Sequence, residues 1–144
     1  MIVTAYCLSY GHWTVIPHQL ADSFHEMADC GFTAVALSIC ESEMVYSRRA
    51  FEIQVDLAHA AGLQVFVIPS RIGGRFAGAS LTPSLWLAQH PEAAVPDHLS
   101  FNGPIACLEH EPFRQFAREF MTMLVSDYPI DGIIWDEPKD EQLI

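Results

Sequence analysis

The chain has 144 residues, 51% of them hydrophobic, with 7 basic against 18 acidic side chains and a formal net charge of −11. This length suits one domain with a real core, and the apolar content leaves little room for long disordered tails. So acidic a chain is excluded as a partner for nucleic-acid phosphates or an anionic membrane surface, both of which call for Lys and Arg.

The first residues, Met1-Ile2-Val3-Thr4-Ala5-Tyr6, lack the basic region and long apolar run of a signal peptide. No apolar run approaches the roughly 18–20 residues of a spanning helix. Cys7, Cys30, Cys40 and Cys107 form no C-x-x-C pair, and each sits beside apolar residues. They read as buried free thiols of a reducing cytoplasm, not as a disulfide framework or zinc site.

In chain order, Ile2 to Ser9 is apolar and β-prone and ends at the turn signal Tyr10-Gly11. Pro17 opens a helix in which Leu20, Phe24 and Met27 recur at helical spacing, and Gly31 supplies its left-handed stop. Phe32 to Ile39 predicts a second strand leading into a polar turn at Cys40-Glu41-Ser42-Glu43. Ser47 is placed to cap a helix starting near Arg48, with Phe51, Val55 and Ala58 on its apolar face and Gly62 as its stop. Leu63 to Ile68 is apolar apart from Gln64, as suits a strand buried on both faces, and Pro69 ends it.

Residues 70–107 lose periodicity, apart from a helical patch at Pro83 to Gln89, and predict a long irregular rim loop with its own small packing. A helix then starts at Glu111 or Pro112, carries Phe113, Phe116, Phe120 and Leu124, and breaks at Tyr128-Pro129. Asp131 to Asp136 is the fourth strand.

Strands alternating with helices and joined by short returns call for parallel strands and right-handed crossovers. The expected fold is α/β: four parallel strands with crossover helices, half of a TIM (β/α)8 barrel, forming one unit over residues 1–144. A whole barrel takes about 250 residues, and an open four-strand sheet exposes two edges. The unit is therefore expected to be part of a longer barrel, or to pair as a homodimer if the chain is naturally this short. No G-x-G-x-x-G or Walker A sequence is present, so no nucleotide cofactor is expected.

The working face of a parallel barrel is at the C-terminal ends of its strands. That rule selects four stretches: Tyr10, His12 and Trp13 after the first strand, Glu43 after the second, Arg71, Arg75 and Phe76 after the third, and Asp136-Glu137-Pro138 after the fourth. Glycosidic cleavage needs two carboxylates facing each other across the scissile bond. Adjacent strand residues point to opposite sides, so Asp136 and Glu137 are not that pair, and one of them awaits a partner from elsewhere. Trp13 offers a ring to stack on a pyranose and His12 a donor, while Glu43 offers an acceptor for sugar hydroxyls. Arg71 and Arg75 suit a clamp on an anionic group or an ion pair with the rim carboxylates. His90, His98 and His110 show no metal-ligand spacing, so no metal is expected.

The run Asp131-Gly132-Ile133-Ile134-Trp135-Asp136-Glu137-Pro138 resembles the fourth-strand segment of barrel glycoside hydrolases. Ala106-Cys107-Leu108 through Pro112-Phe113-Arg114-Gln115-Phe116 resembles the lead into the preceding helix. Gly73-Gly74-Arg75-Phe76-Ala77-Gly78 is similar to a Gly-Gly-x-Phe-Gly-Gly loop of uncharacterised glycosidase-like barrels, with Ala77 departing from it. The resemblance implies a carbohydrate substrate and a carboxylate mechanism. In the clan with Asn-Glu-Pro at this strand the acid/base role falls on Glu137, although Asp136 replaces the asparagine. In α-glycosidase-like and fucosidase-like barrels the nucleophile role falls on Asp136, whose preceding D-G-I-x-W-type run fits that group better. Both place the second carboxylate on a later strand. Two alternatives stay open: a non-catalytic sugar-binding half-barrel, and a metal-dependent sugar isomerase or epimerase.

Overall fold

A computed structural model describes residues 1–7, 16–70, 72–74, 84–95 and 104–135. Four strands form one parallel sheet in the order β1 (Thr4–Cys7), β2 (Ala34–Ile39), β3 (Gln64–Pro69), β6 (Gly132–Ile133). Helix α1 (Pro17–Asp29) links β1 to β2, and α2 (Glu41–Tyr46) with α3 (Arg48–Ala60) links β2 to β3. Helix α5 (Glu111–Asp127) leads into β6. Among the described residues, no helix is long and apolar enough to cross a membrane.

Local chemistry sets the boundaries. Pro17 sits in the first turn of α1, where a missing N–H costs nothing. Helices α1 and α3 end alike. Gly31 (φ +89°) and Gly62 (φ +80°) take the left-handed position. Their amides bond Ala28 O and His59 O at 2.9 Å, and the next amides, of Phe32 and Leu63, reach back to Met27 O and Ala58 O at 3.1 and 3.0 Å. This double closure satisfies the last carbonyls and turns the chain straight into the following strand.

Strand alternation then divides the sheet into two faces. Val35, Leu37, Ile39, Val65 and Val67 meet Phe24, Phe51, Val55, Ala58, Phe113, Phe120 and Leu124 in the main core. Each fully buried Phe or Leu there contributes about 1.5–3 kcal/mol. Ala34, Ala36, Ser38, Phe66 and Ile68 lie on the opposite, inner face, with Gly132 level with Phe66. The Phe66 ring lies 2.9 Å from where a Gly132 Cβ would stand, so that position has no room for a larger residue.

Several expectations are corrected. Cys40–Glu43 is not a turn but the start of α2, because the first turn is capped at both ends of the Cys40–Glu43 pair and carries two acidic residues against the helix dipole. Ser47 makes no side-chain cap: its N–H closes α2 on Glu43 O at 2.8 Å while its carbonyl opens α3 through Ala50 N at 2.9 Å. Cys30 is exposed rather than buried, since it lies in the C-terminal turn of α1; Cys40 is buried, and both are free thiols.

The described part of the rim segment has a local scaffold. Helix α4 (Leu85–Gln89) is capped by Ser84 Oγ, which accepts the Leu87 N–H at 3.0 Å. A 3₁₀ turn (Pro91–Ala93) follows, and then β4 (Ala94–Val95) pairs antiparallel with β5 (Ile105–Ala106). That two-strand ladder has no counterpart in the sequence pattern.

Candidate functional site

The strands run parallel, so the C-terminal ends of β2 and β3 lie side by side at one end of the sheet, where Ser70 N–H extends the ladder to Ile39 O at 2.8 Å. On the inner face at that end, Ser38 Oγ and Ser70 Oγ are 3.3 Å apart, with the residues 4% and 8% exposed. Strand β6 joins this end, Ile134 N–H bonding Val67 O at 2.8 Å.

Of the residues singled out from sequence, Glu43 is described. It is buried, and its Oε2 accepts the Cys40 N–H at 2.6 Å, the side-chain half of the α2 capping box. Beside it, Cys40 Sγ lies 3.0 Å from Ser42 Oγ, and burial, reinforced by the Glu43 charge, pushes the Cys40 thiol up. Tyr10, His12, Trp13, Arg71, Arg75, Phe76, Asp136 and Glu137 lie outside the described residues, as does His98.

Glu41 is the carboxylate that sequence reasoning passed over. It is 4% exposed, and its oxygens accept Gly73 N–H at 2.7 Å, Ser84 O–H at 2.9 Å and Trp86 N–H at 2.9 Å. Three neutral donors, two from backbone amides and one from a hydroxyl, satisfy this buried side chain. Glu41 thus fastens the rim segment to the tip of β2. An acidic residue in the first turn after an apolar strand was the available signal, but it did not separate Glu41 from Glu43.

The aromatic group in this segment is structural in its geometry. The Trp86 ring stacks on His90 at 4.3 Å and on Phe116 at 5.6 Å, so it is engaged in packing within the protein. A cleft of about 300 Å³ beside it, lined by Met44, Leu85, Phe116 and Phe120, lies on the helix side of the sheet. At the opposite end of the sheet, Asp131 Oδ2 accepts Val65 N–H at 2.7 Å and faces His59 Nε2 at 3.1 Å. The Val65 amide, then His59, hold the Asp131 carboxyl below its ordinary range. No group of three or more His, Cys, Asp or Glu side chains placed to hold a metal occurs among the described residues.

Four parallel strands joined by crossover helices define an α/β fold with half the strand complement of a TIM barrel. The chain is similar to a solved TIM-barrel structure, a noncanonic maltogenic alpha-amylase, AmyB, from Thermotoga neapolitana, with a TM-score of 0.63 and 13% identity. The match covers 91% of this chain and 38% of that one, so the chain spans well under half the length of its structural neighbour. At this identity the likeness is one of fold. No family model matches the chain, and no curated protein sequence matches it.

Proposed function

We propose that this chain is part of a glycoside hydrolase-like barrel that cleaves glycosidic bonds with two carboxylates, of which it supplies one, Asp136. One observation carries the proposal: β6 is a parallel strand of the sheet, and it runs toward the end where Ser38 and Ser70 lie, two residues short of Asp136-Glu137-Pro138. Gly132 is level with Phe66 on the inner face, and the D-G-I-x-W-type run before Asp136 favours Asp136 over Glu137 for the nucleophile role. Asp136 then attacks the anomeric carbon while an acid from another strand protonates the leaving oxygen. Water resolves the glycosyl ester in the second step. Such retaining pairs stand about 5–5.5 Å apart.

Among the described residues, β1 and β6 each pair on one side, which supports completion of the barrel by further strands, from a longer chain or a second copy. The likeness to a maltogenic amylase makes maltose-type glycosides the first substrates to try. In the complete barrel, Asp136→Asn is expected to lower kcat on a panel of aryl glycosides by at least roughly 10²-fold, with Glu137→Gln affecting it less. Undiminished hydrolysis by both variants overturns the proposal.

A further inference from the structure

The four strands contain no charged residue, and Ser38 and Ser70 are the polar side chains that their inner face presents at the C-terminal end of β2 and β3. The two hydroxyls lie 3.3 Å apart, and either can be the donor. Each hydroxyl has one proton to give and two lone pairs. One mutual hydrogen bond uses a single proton, so the pair keeps a spare donor, and among the described residues neither oxygen has another partner. Both serines are more than nine-tenths buried. An unmet donor at such a position costs on the order of 1–3 kcal/mol, which a core avoids by placing alanine, as it does at Ala36 and Ala34, one and two steps down the same strand face.

We infer that the Ser38–Ser70 pair is a carbohydrate-binding contact, giving its spare proton to a sugar hydroxyl or ring oxygen and accepting a sugar hydroxyl proton in return. The inference rests on the carbohydrate reading proposed above and adds two residues to it. Neutral hydroxyls that both donate and accept match the hydroxyls of a sugar, whereas a purely apolar ligand leaves the spare proton unmet. The serines also sit where parallel barrels assemble their sites.

Calorimetric titration of the complete barrel with maltose tests this, using wild type, Ser38→Ala, Ser70→Ala, the double alanine variant and Ser70→Thr, with thermal unfolding as the folding control. Each single alanine is expected to weaken maltose binding roughly three- to tenfold, the value of one hydrogen bond. Because the two hydroxyls act as a unit, the double variant should bind about as weakly as the worse single variant. Ser70→Thr, which keeps the hydroxyl, should retain most of the affinity. If a single variant fails to fold, the double variant carries the comparison, since it leaves no orphan hydroxyl behind. Maltose binding that is equally tight in wild type and in the alanine variants means a resident water only, which overturns this inference and leaves the carbohydrate reading standing. No binding by wild type overturns both.

Discussion

The Glu41 carboxylate accepts the Gly73 backbone N–H at 2.7 Å, joining the tip of β2 to a turn 32 residues further along the chain. The same carboxylate takes the Ser84 hydroxyl and the Trp86 amide, so both ends of the intervening stretch are fixed to one buried group. Residues held in this way at two points are fixed against the tip of β2.

Removing that acceptor should therefore release the segment. Glu41→Ala leaves three buried donors unmet and is expected to lose on the order of 3 kcal/mol or more of stability. Glu41→Gln keeps one accepting oxygen but turns an NH₂ group toward donors, so it should lose less, roughly 1–3 kcal/mol. Urea midpoints measure both, and limited proteolysis should show earlier cleavage between Gly73 and Ser84. A change below about 1 kcal/mol for the alanine variant would contradict the hub role of Glu41.

Gly74 tests the same anchorage from the backbone. Its φ is +84°, and a Cβ there would stand 2.6 Å from the Pro104 carbonyl oxygen and 3.2 Å from Ile105 Cα. Backbone cannot swing aside as a side-chain tip can, so Gly74→Ala combines left-handed strain with overlap. Gly31→Ala is the control, since it has a similar φ of +89° but nothing within 4 Å. The control should cost about 1 kcal/mol and Gly74→Ala clearly more, about 2–4 kcal/mol. Equal shifts in Tm for the two variants would mean that the β5 approach to Gly74 is slack.

Two cysteines differ enough to be separated chemically. Cys30 is exposed in the turn after α1, whereas Cys40 is buried and has its thiol pushed up by burial first and by the Glu43 charge as a further cause. Thiolate is the reactive form. Iodoacetamide at mild alkaline pH should alkylate Cys30 at least roughly tenfold faster than Cys40 in the native chain. Peptide mass analysis reads the ratio, and comparable rates would show that the α2 N-terminus opens freely.

How much of this was legible in the sequence depends on whether a residue's role is local. Pro17, Gly31 and Gly62 act through their own backbone geometry, and the helices they bound appear where the pattern predicts. The parallel order of β1, β2, β3 and β6 also follows, because apolar runs separated by helices leave little else open. Glu41 and Glu43 could not be told apart by type or spacing. Glu43 bonds an amide three residues away, but the Glu41 partners come from residues 73, 84 and 86, and nothing near residue 41 encodes that distance. The β4–β5 ladder was hidden for a related reason, as two residues per strand are too few to show an alternation. Ser38 was unreadable as a site residue because it sits inside an apolar run, and its significance appears once Ser70 is seen beside it.

The last test concerns acid. Asp131 at the N-terminal end of β6 accepts the Val65 amide and faces His59, and these contacts hold its carboxyl below the ordinary value, the Val65 hydrogen bond being the largest cause. A carboxyl whose folded pKa is depressed binds protons more readily in the unfolded chain. Its contribution is therefore complete above the ordinary carboxylate range, near pH 4, and is lost as the pH falls through the lower folded value. With both side chains 34% exposed, solvent screens the pair, so the contribution stays under about 1 kcal/mol. Asp131→Asn keeps an oxygen for the Val65 amide but cannot carry the charge. It should be less stable than wild type at pH 7 and converge with it as the pH falls through the depressed folded value, where the wild-type carboxyl takes up its proton. Urea midpoints at several pH values between these limits measure the convergence. A gap that stays constant across the range would assign the effect of the substitution to geometry, and the charge on Asp131 would then contribute nothing to joining β3 and β6.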